Sequence, residues 1–361
     1  MNDANELISF IASMSGEGNL RVEENLGEGY VRLRVSEAER RQAKHDIQHV
    51  EDIVIEMLRN ARDAGADKVY LATTKEDGVR TLVFLDNGSG VPQDMQERIF
   101  DARVTSKLES MKMDRWGVHG RGMALFSIKQ NTDEARVVAS DVDLGSVFKV
   151  SVATDRLGER ADQSSWPQAV KDEDGHYVCA RGPHNIIRAA CEFALEELRA
   201  CDVYLGSPSE IAATLHAQAS SRLDASRLLF IDDEAELPVV DRLGLASDAE
   251  DFIRICSGLG LEMSERTAHR ILAGQIKPVR GVTARLLRER DSSSHASAQV
   301  DLAKDRRGLR IAKDDMAQFS RAVERDFNDL ASRYYLNLCG DPKIRVSRDR
   351  ITVTFDLAKE E

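Results

Sequence analysis

Residues 56–66 read EMLRNARDAGA, residues 86–90 read DNGSG and residues 117–122 read GVHGRG. The first places a carboxylate and an amide four positions apart, hence on one face of a helix. The second opens a glycine turn with an aspartate at the end of an apolar strand. The third is a glycine-rich stretch that feeds a helical run. Together these elements suit an adenine nucleotide with Mg²⁺. Asn60 can give its amide oxygen to the metal, and Glu56 can take a proton from an attacking water. An ionised Asp86 accepts from the exocyclic amine of adenine, which predicts adenine over guanine, while Gly88 and Gly90 let backbone approach a flat ring. Gly117, Gly120 and Gly122 precede MALFSIK and present backbone N–H groups to phosphates. Each element also has a plainer reading: an exposed polar helix face, a common turn former, a surface loop. Neither a P-loop nor a dinucleotide glycine motif is present.

Around these motifs the pattern mixes helices with adjacent antiparallel strands, which points to an α+β fold rather than alternating βαβ units. RVEENLGEGYVRLRV predicts a hairpin at about 20 to 35, and Ser36 with Glu39 three residues later predicts a capped helix, broken once, that ends at Gly65. Strands are expected at 69 to 74, 81 to 86, 135 to 140 and 146 to 153, and helices at 4 to 14, 94 to 100 and 122 to 130. The polar stretch 158 to 182 reads as a linker or insertion between domains at 1 to 157 and 183 to 361. The second domain is expected to be mostly helical, with helices at 186 to 201, 208 to 222, 248 to 257, 264 to 274, 281 to 290 and 314 to 336. SSSHASAQ at 292 to 299 is a connector and KIRVSRDRITVTFDL a small terminal hairpin.

The 361 residues, 42% of them apolar, are enough for two cores. The five cysteines are odd in number and form no CxxC pair, so they read as reduced core thiols in a cytoplasmic protein. No apolar run approaches the roughly 20 residues needed to cross a bilayer, and the N-terminus is acidic where a signal peptide is basic. A net charge of −12 disfavours non-specific contact with a polyanion. Local basic runs, Arg280, Arg285, Arg288 and Arg290, then Lys304, Arg306, Arg307, Arg310 and Lys313, are candidate DNA contacts or solvated faces.

The motifs resemble the GHKL superfamily, named for gyrase, the Hsp-type chaperone, histidine kinases and MutL. The MutL form of the first box, E-x-x-x-N-x-x-D-A-G-A, matches Glu56, Asn60, Asp63, Ala64, Gly65 and Ala66. DNGSGVP resembles the adenine-binding box and GVHGRG the lid segment of gyrase-type ATPases. VTSKL at 104 to 108 looks like the MutL T-S-K, which makes Thr105, Ser106 and Lys107 lid candidates. LGSVFKV at 144 to 150 is similar to a late family strand, with Ser146 near the adenine. The resemblance covers about residues 36 to 155. It implies a two-layer Bergerat-type ATP-binding fold, slow Mg²⁺-dependent ATP hydrolysis, and a nucleotide-driven conformational change that acts on a protein or DNA-processing partner. A homodimer closed by ATP fits the family.

Two other activities stay open on these residues. A histidine-kinase or anti-sigma type of protein kinase would transfer phosphate to protein, but Glu56 is the acid that ATPase members carry. His45 lies too close to Glu56 for a dimerisation domain to intervene, and reads as an ordinary helix histidine. A non-hydrolysing ATP-binding module is the other reading, because the transducer lysine of MutL-like members is not recognisable, with Lys277 and Lys304 as conceivable substitutes. AEDFIRICSGLGLEMSERTAHRILAG faintly resembles the helix-two-turns-helix module of type IIB topoisomerases.

Overall fold

The computed structural model describes residues 22–106, 112–114, 116–119, 122–198, 200–223, 231 and 233–287, and short stretches between 316 and 359. Its contacts form two compact units, residues 1–294 and 295–361. The expected helix at 4 to 14, the connector at 292 to 299, Arg288, Arg290 and the basic run 304 to 313 lie outside the described residues.

The first unit begins with the hairpin of β1 (Val22–Gly27) and β2 (Tyr30–Leu33). Ser36 then caps α1 (Glu37–Asp46), its hydroxyl accepting from the Glu39 N–H while the Glu39 carboxylate accepts from the Ser36 N–H. The expected break falls at 47–49, where the Asp52 carboxylate gathers the N–H groups of Gln48 and His49 ahead of α2 (Val50–Asp63). In α2 the residues Val50, Ile53, Val54, Met57, Leu58 and Ala61 recur at helical spacing and are buried, so one stripe faces the core. Gly65, at φ +75°, ends the helix.

Strands β3 (Lys68–Glu76) and β4 (Val79–Asp86) follow, joined by Asp77 and Gly78, both at positive φ as a two-residue hairpin turn requires. Residues 94 to 100, expected as a helix, form two 3₁₀ turns, Gln93–Met95 and Arg98–Phe100. Breaking the helix there lets Met95, Ile99 and Phe100 all turn inward. After β5 (Val104–Thr105), the hairpin of β6 (Lys112–Asp114) and β7 (Gly117–His119) leads to α3 (Ala124–Asn131), then β8 (Glu134–Ser140) and β9 (Ser146–Ala153).

The stretch expected to part the chain at 158 to 182 is stitched to the core, and the contacts part the chain beyond it. Buried Glu51 accepts from the Arg160 N–H at 3.1 Å and from Gln163 at 2.7 Å, and buried Asn185 donates to the carbonyls of Asp162 and Ser165. Buried polar side chains of α2 and of the start of α4 thus satisfy its backbone. The stretch also holds the hairpin of β10 (Gln168–Lys171) and β11 (Tyr177–Arg181). Beyond it come α4 (Ile186–Glu196), β12 (Asp202–Gly206), α5 (Pro208–Arg222), α6 (Ala249–Gly258) and α7 (Glu265–Leu272). β12 completes the central sheet, whose order is β12-β3-β4-β9-β8, parallel at β12–β3 and antiparallel elsewhere.

Side-chain alternation along the strands sends apolar groups to both faces. Val69, Leu71, Leu82 and Phe84 pack with α2 and α4 in one core. Tyr70, Ala72, Val83 and Leu85 pack with α5, α6 and α7 in another. The mixed sheet with its α2-side layer is the expected α+β sandwich, and the helices after β12 cover its second face. No described helix is long and apolar enough to cross a membrane. Among the described residues Cys179, Cys191, Cys201 and Cys256 form no disulfide, and burial together with neighbouring acids pushes Cys201 up to about 12.

In the second unit, β14 (Lys343–Val346) pairs with β15 (Ile351–Thr354), the expected terminal hairpin. In addition, β13 (Leu336–Leu338) pairs with β16 (Leu357–Lys359). The rings of Phe327 and Phe355 stack within this unit.

Glu159 fixes the end of the sheet by accepting from Arg80 at 2.7 Å and Lys75 at 3.1 Å. Burial raises its pKa, but these two cations outweigh burial and hold it below the ordinary glutamate value. Its contribution is therefore present above that value and lost as pH falls through it. The melting temperature of Glu159→Gln is expected to lie below wild type at pH 7 and to vary less between about pH 5 and 3; parallel profiles for the two proteins would contradict this role.

Candidate active site

A cavity of about 460 Å³ opens between α2, the ends of β4 and β9, and the segments around β5 and the start of α3. Its lining includes Glu56, Asn60, Asp63, Asp86, Gly90 and Thr105, together with Gly122 and Ser146. With Ser106, which also lines it, nine of the candidates singled out from sequence meet at one place. Gly88 lies just behind the wall, donating its N–H to the Asp86 carboxylate at 2.8 Å. Gly117 belongs to β7, while Lys107 and Gly120 lie outside the described residues.

Each wall follows from local structure. Glu56, Asn60 and Asp63 share the cavity side of α2 because three- and four-residue steps stack side chains along a helix. Asp86 and Ser146 are cross-strand partners at the ends of β4 and β9, both nearly fully buried. Phe84 and Phe148, two residues inward from Asp86 and Ser146 along each strand, give the same wall an apolar floor. At the other end, Gly122, Met123, Ala124 and Leu125 bring the start of α3 to the cavity, and no side-chain cap occupies it among the described residues. The free first-turn N–H groups there favour an anion. Carboxylate and amide oxygens on α2, an apolar floor and a helix start at the far end match the parts of a nucleotide. Hard oxygen donors at Asn60, Glu56 and Asp63 also suit Mg²⁺.

The glycines at 88 and 90 are required by packing. A Cβ at Gly88 would stand 2.8 Å from the Ala64 carbonyl oxygen. At Gly90, φ is +71° and a Cβ would stand 1.8 Å from the Asp141 carbonyl oxygen. The turn after β4 is therefore pressed between α2 and the β8–β9 turn.

The structure also brings in residues that sequence motifs did not single out. Ser140, at the end of β8, is buried; its hydroxyl accepts from the Val91 N–H at 2.7 Å and approaches the Ser146 hydroxyl at 3.1 Å. Arg59 pairs with Glu56 at 2.6 Å and with Asp114 at 2.9 Å. Arg62 pairs with Asp63, Asp114 and Glu197 at 3.0, 3.2 and 3.1 Å. Burial alone would lower the Arg62 pKa, but these three acids outweigh it and raise the pKa. The visible signal in the sequence was only a pair of arginines flanking Asn60 within EMLRNARDAGA.

Residues 47–140 match the family described as histidine kinase-, DNA gyrase B-, and HSP90-like ATPase. Over 136 residues the chain is 28% identical to the DNA mismatch repair protein MutL of Staphylococcus aureus strains Newman, JH1 and Mu3, an alignment covering 35% of this chain and 20% of each relative. The chain thus spans about a fifth of the length of the curated relatives it matches.

Substituting Gly90 by alanine forces both a clash and a strained φ. It is expected to cost about 2 kcal/mol or more and to lower the melting temperature by several degrees. A variant that melts within a degree of wild type would show that the 86–90 turn is not clamped as described.

Proposed function

Residues 47–140 belong to the histidine kinase-, DNA gyrase B- and HSP90-like ATPase family, and from that premise we propose that the chain binds Mg·ATP in the cavity beside α2 and hydrolyses it slowly. The observation that carries the reading is the pairing of walls: Glu56 and Asn60 on α2 face the same cavity as Asp86 and Ser146 at the strand ends. Asp86 accepts from the adenine amino group, with Ser146 beside it and the phenyl floor against the ring. The start of α3 receives the phosphates. Asn60 holds Mg²⁺, which when bound neutralises charge on the β- and γ-phosphates.

Glu56 is the general base. It takes a proton from the water whose oxygen bonds to the γ-phosphorus, as the bond from that phosphorus to the bridging oxygen breaks. Thr105 and the glycines at 117, 120 and 122, with Lys107, form the lid that excludes other water. A carboxylate at this position favours water over a protein side chain as phosphate acceptor. Homodimer formation on ATP binding is the conformational readout that such a lid supports.

The test is phosphate release from Mg·ATP by the wild type, Glu56→Ala and Asp86→Asn, with binding followed by thermal shift. Glu56→Ala is expected to lose about a hundredfold in turnover while keeping the shift, and Asp86→Asn to lose the shift. Phosphate release at equal rates from all three proteins would remove Glu56 and Asp86 from these roles.

We also infer a DNA-processing partner, because the relatives are named as DNA mismatch repair proteins and exposed cations lie on α7 and just after it, beside exposed Glu265. On α7 and just after it, Arg266, Arg270 and Lys277 are exposed, and among the described residues none has an acidic partner within ion-pair distance. Retention on duplex DNA should fall with salt, and replacing these three residues by alanine should flatten that dependence. Equal salt profiles for the two proteins would exclude this face as the contact.

A further inference from the structure

Glu56, on α2, and the β6–β7 hairpin are joined by one buried guanidinium. The Arg59 side chain is 3% exposed; its Nη1 lies 2.6 Å from Glu56 Oε1 and its Nε donates to Asp114 Oδ2 at 2.9 Å. Asp114 ends β6 and is itself 6% exposed. Its second oxygen, Oδ1, accepts from the Trp116 N–H at 3.0 Å, which fixes the carboxylate to the hairpin's own turn. The Trp116 ring, in turn, stacks near Phe193 of α4 and lines the cavity. Arg62 shares Asp114 Oδ2 at 3.2 Å and continues to Glu197 just past α4, so the hairpin is held against two helices at once.

We propose that Arg59 is a positioning residue that aims the Glu56 carboxylate for hydrolysis, and that Asp114 makes this aim depend on the place of the β6–β7 hairpin. The inference rests on the reading of Glu56 as general base. A glutamate on a helix surface samples several rotamers, whereas a carboxylate bonded to a buried guanidinium is restricted to one. A fork already fixed on its other side by Asp114 loses little further freedom in holding Glu56. The order base, orienter and anchor is Glu56, Arg59 and Asp114, the same logic by which a third group orients the base of a catalytic triad. The hairpin borders the cavity through Trp116, so a nucleotide that moves it shifts Asp114, and through Arg59 the carboxylate. This is a physical route from nucleotide occupancy to the base.

The chain has two tryptophans, Trp116 and Trp166. In a Trp166→Phe background, Trp116 emission therefore reports the hairpin directly and independently of turnover. Phosphate release, ATP affinity and Trp116 emission are measured in this background for the parent, Arg59→Ala, Arg59→Lys and Asp114→Asn. Arg59→Ala is expected to lower kcat about tenfold or more with ATP affinity within about threefold, since a misaimed base costs rate rather than binding. Arg59→Lys, which keeps the charge without the fork, should recover part of the loss. Asp114→Asn should lower kcat by a smaller factor and shift resting Trp116 emission toward that of the nucleotide-bound parent. Arg59→Ala combined with Glu56→Gln should be no slower than Glu56→Gln alone, because both act on one group.

Unchanged kcat in Arg59→Ala or Asp114→Asn would overturn the proposal, as would a faster Arg59→Ala, multiplicative losses in the double variant, or an unmoved Trp116 signal in Asp114→Asn. If the alanine variant fails to fold, the lysine and asparagine variants decide the matter alone. A parent that binds ATP without releasing phosphate would instead remove the hydrolysis reading itself, and this inference with it.

Discussion

The cavity exists because the C-terminus of α2 and the end of β4 are held at van der Waals distance, and a few hydrogen bonds around Asn87 set that distance. The Asn87 Oδ1 accepts from the N–H groups of Asp67 and Lys68 at 3.1 and 2.9 Å, and its Nδ2 donates to Asp67 at 2.6 Å. Two residues on, the Ser89 N–H donates to the Ala64 carbonyl at 2.9 Å. Asn87 thereby closes the corner where helix turns into strand, and Gly88 supplies the missing Cβ that lets the two backbones meet. The distance between Asn60 on the helix and Asp86 on the strand follows from this corner. The spacing between the α2 wall and the strand-end wall depends on it.

Much of this was legible in sequence because the signals are local. Ser36 with Glu39, the helix end at Gly65 and the hairpin at about 20 to 35 each act within a few residues, and each is found where the pattern places it. The spaced motifs converge because strands and helices of fixed length leave them little choice. What was not legible is non-local. VYLA and LVFL carry apolar residues at successive positions, and such runs mark a strand buried on both faces. Nothing in those runs identifies what covers the second face, which in the structure is α5, α6 and α7. The polar stretch after β9 looked like a linker because composition does not reveal that Glu51 and Asn185 are waiting for its backbone. Likewise, no spacing rule joins Arg59 to Asp114, which lie on separate elements far apart in the chain.

The charges behind α2 are unusual in their burial. Arg59 and Arg62 are both less than a tenth exposed, and they are shared among Glu56, Asp63, Asp114 and Glu197. Such a network contributes little net stability over a well-packed apolar core, because desolvation offsets most of the attraction. What it does provide is directional restraint: each guanidinium is satisfied in only one arrangement of its acids. Removing one partner leaves a buried charge uncompensated, which costs roughly 3–5 kcal/mol and accounts for a tight coupling between helix and hairpin.

The parallel pairing of β12 with β3 has a consequence for how the chain comes into being. Asp202 lies beside Lys68 and Gly206 beside Ala72, so the fifth strand of the sheet is synthesised long after the other four. Until it and α5 emerge, a nascent chain presents the open edge of β3 and the bare apolar face of Tyr70, Val83 and Leu85. Strand edges and apolar faces of this kind are where unfinished chains associate with one another. Completion of the sheet therefore follows synthesis of its first four strands, and the edge of β3 stays open in the interval.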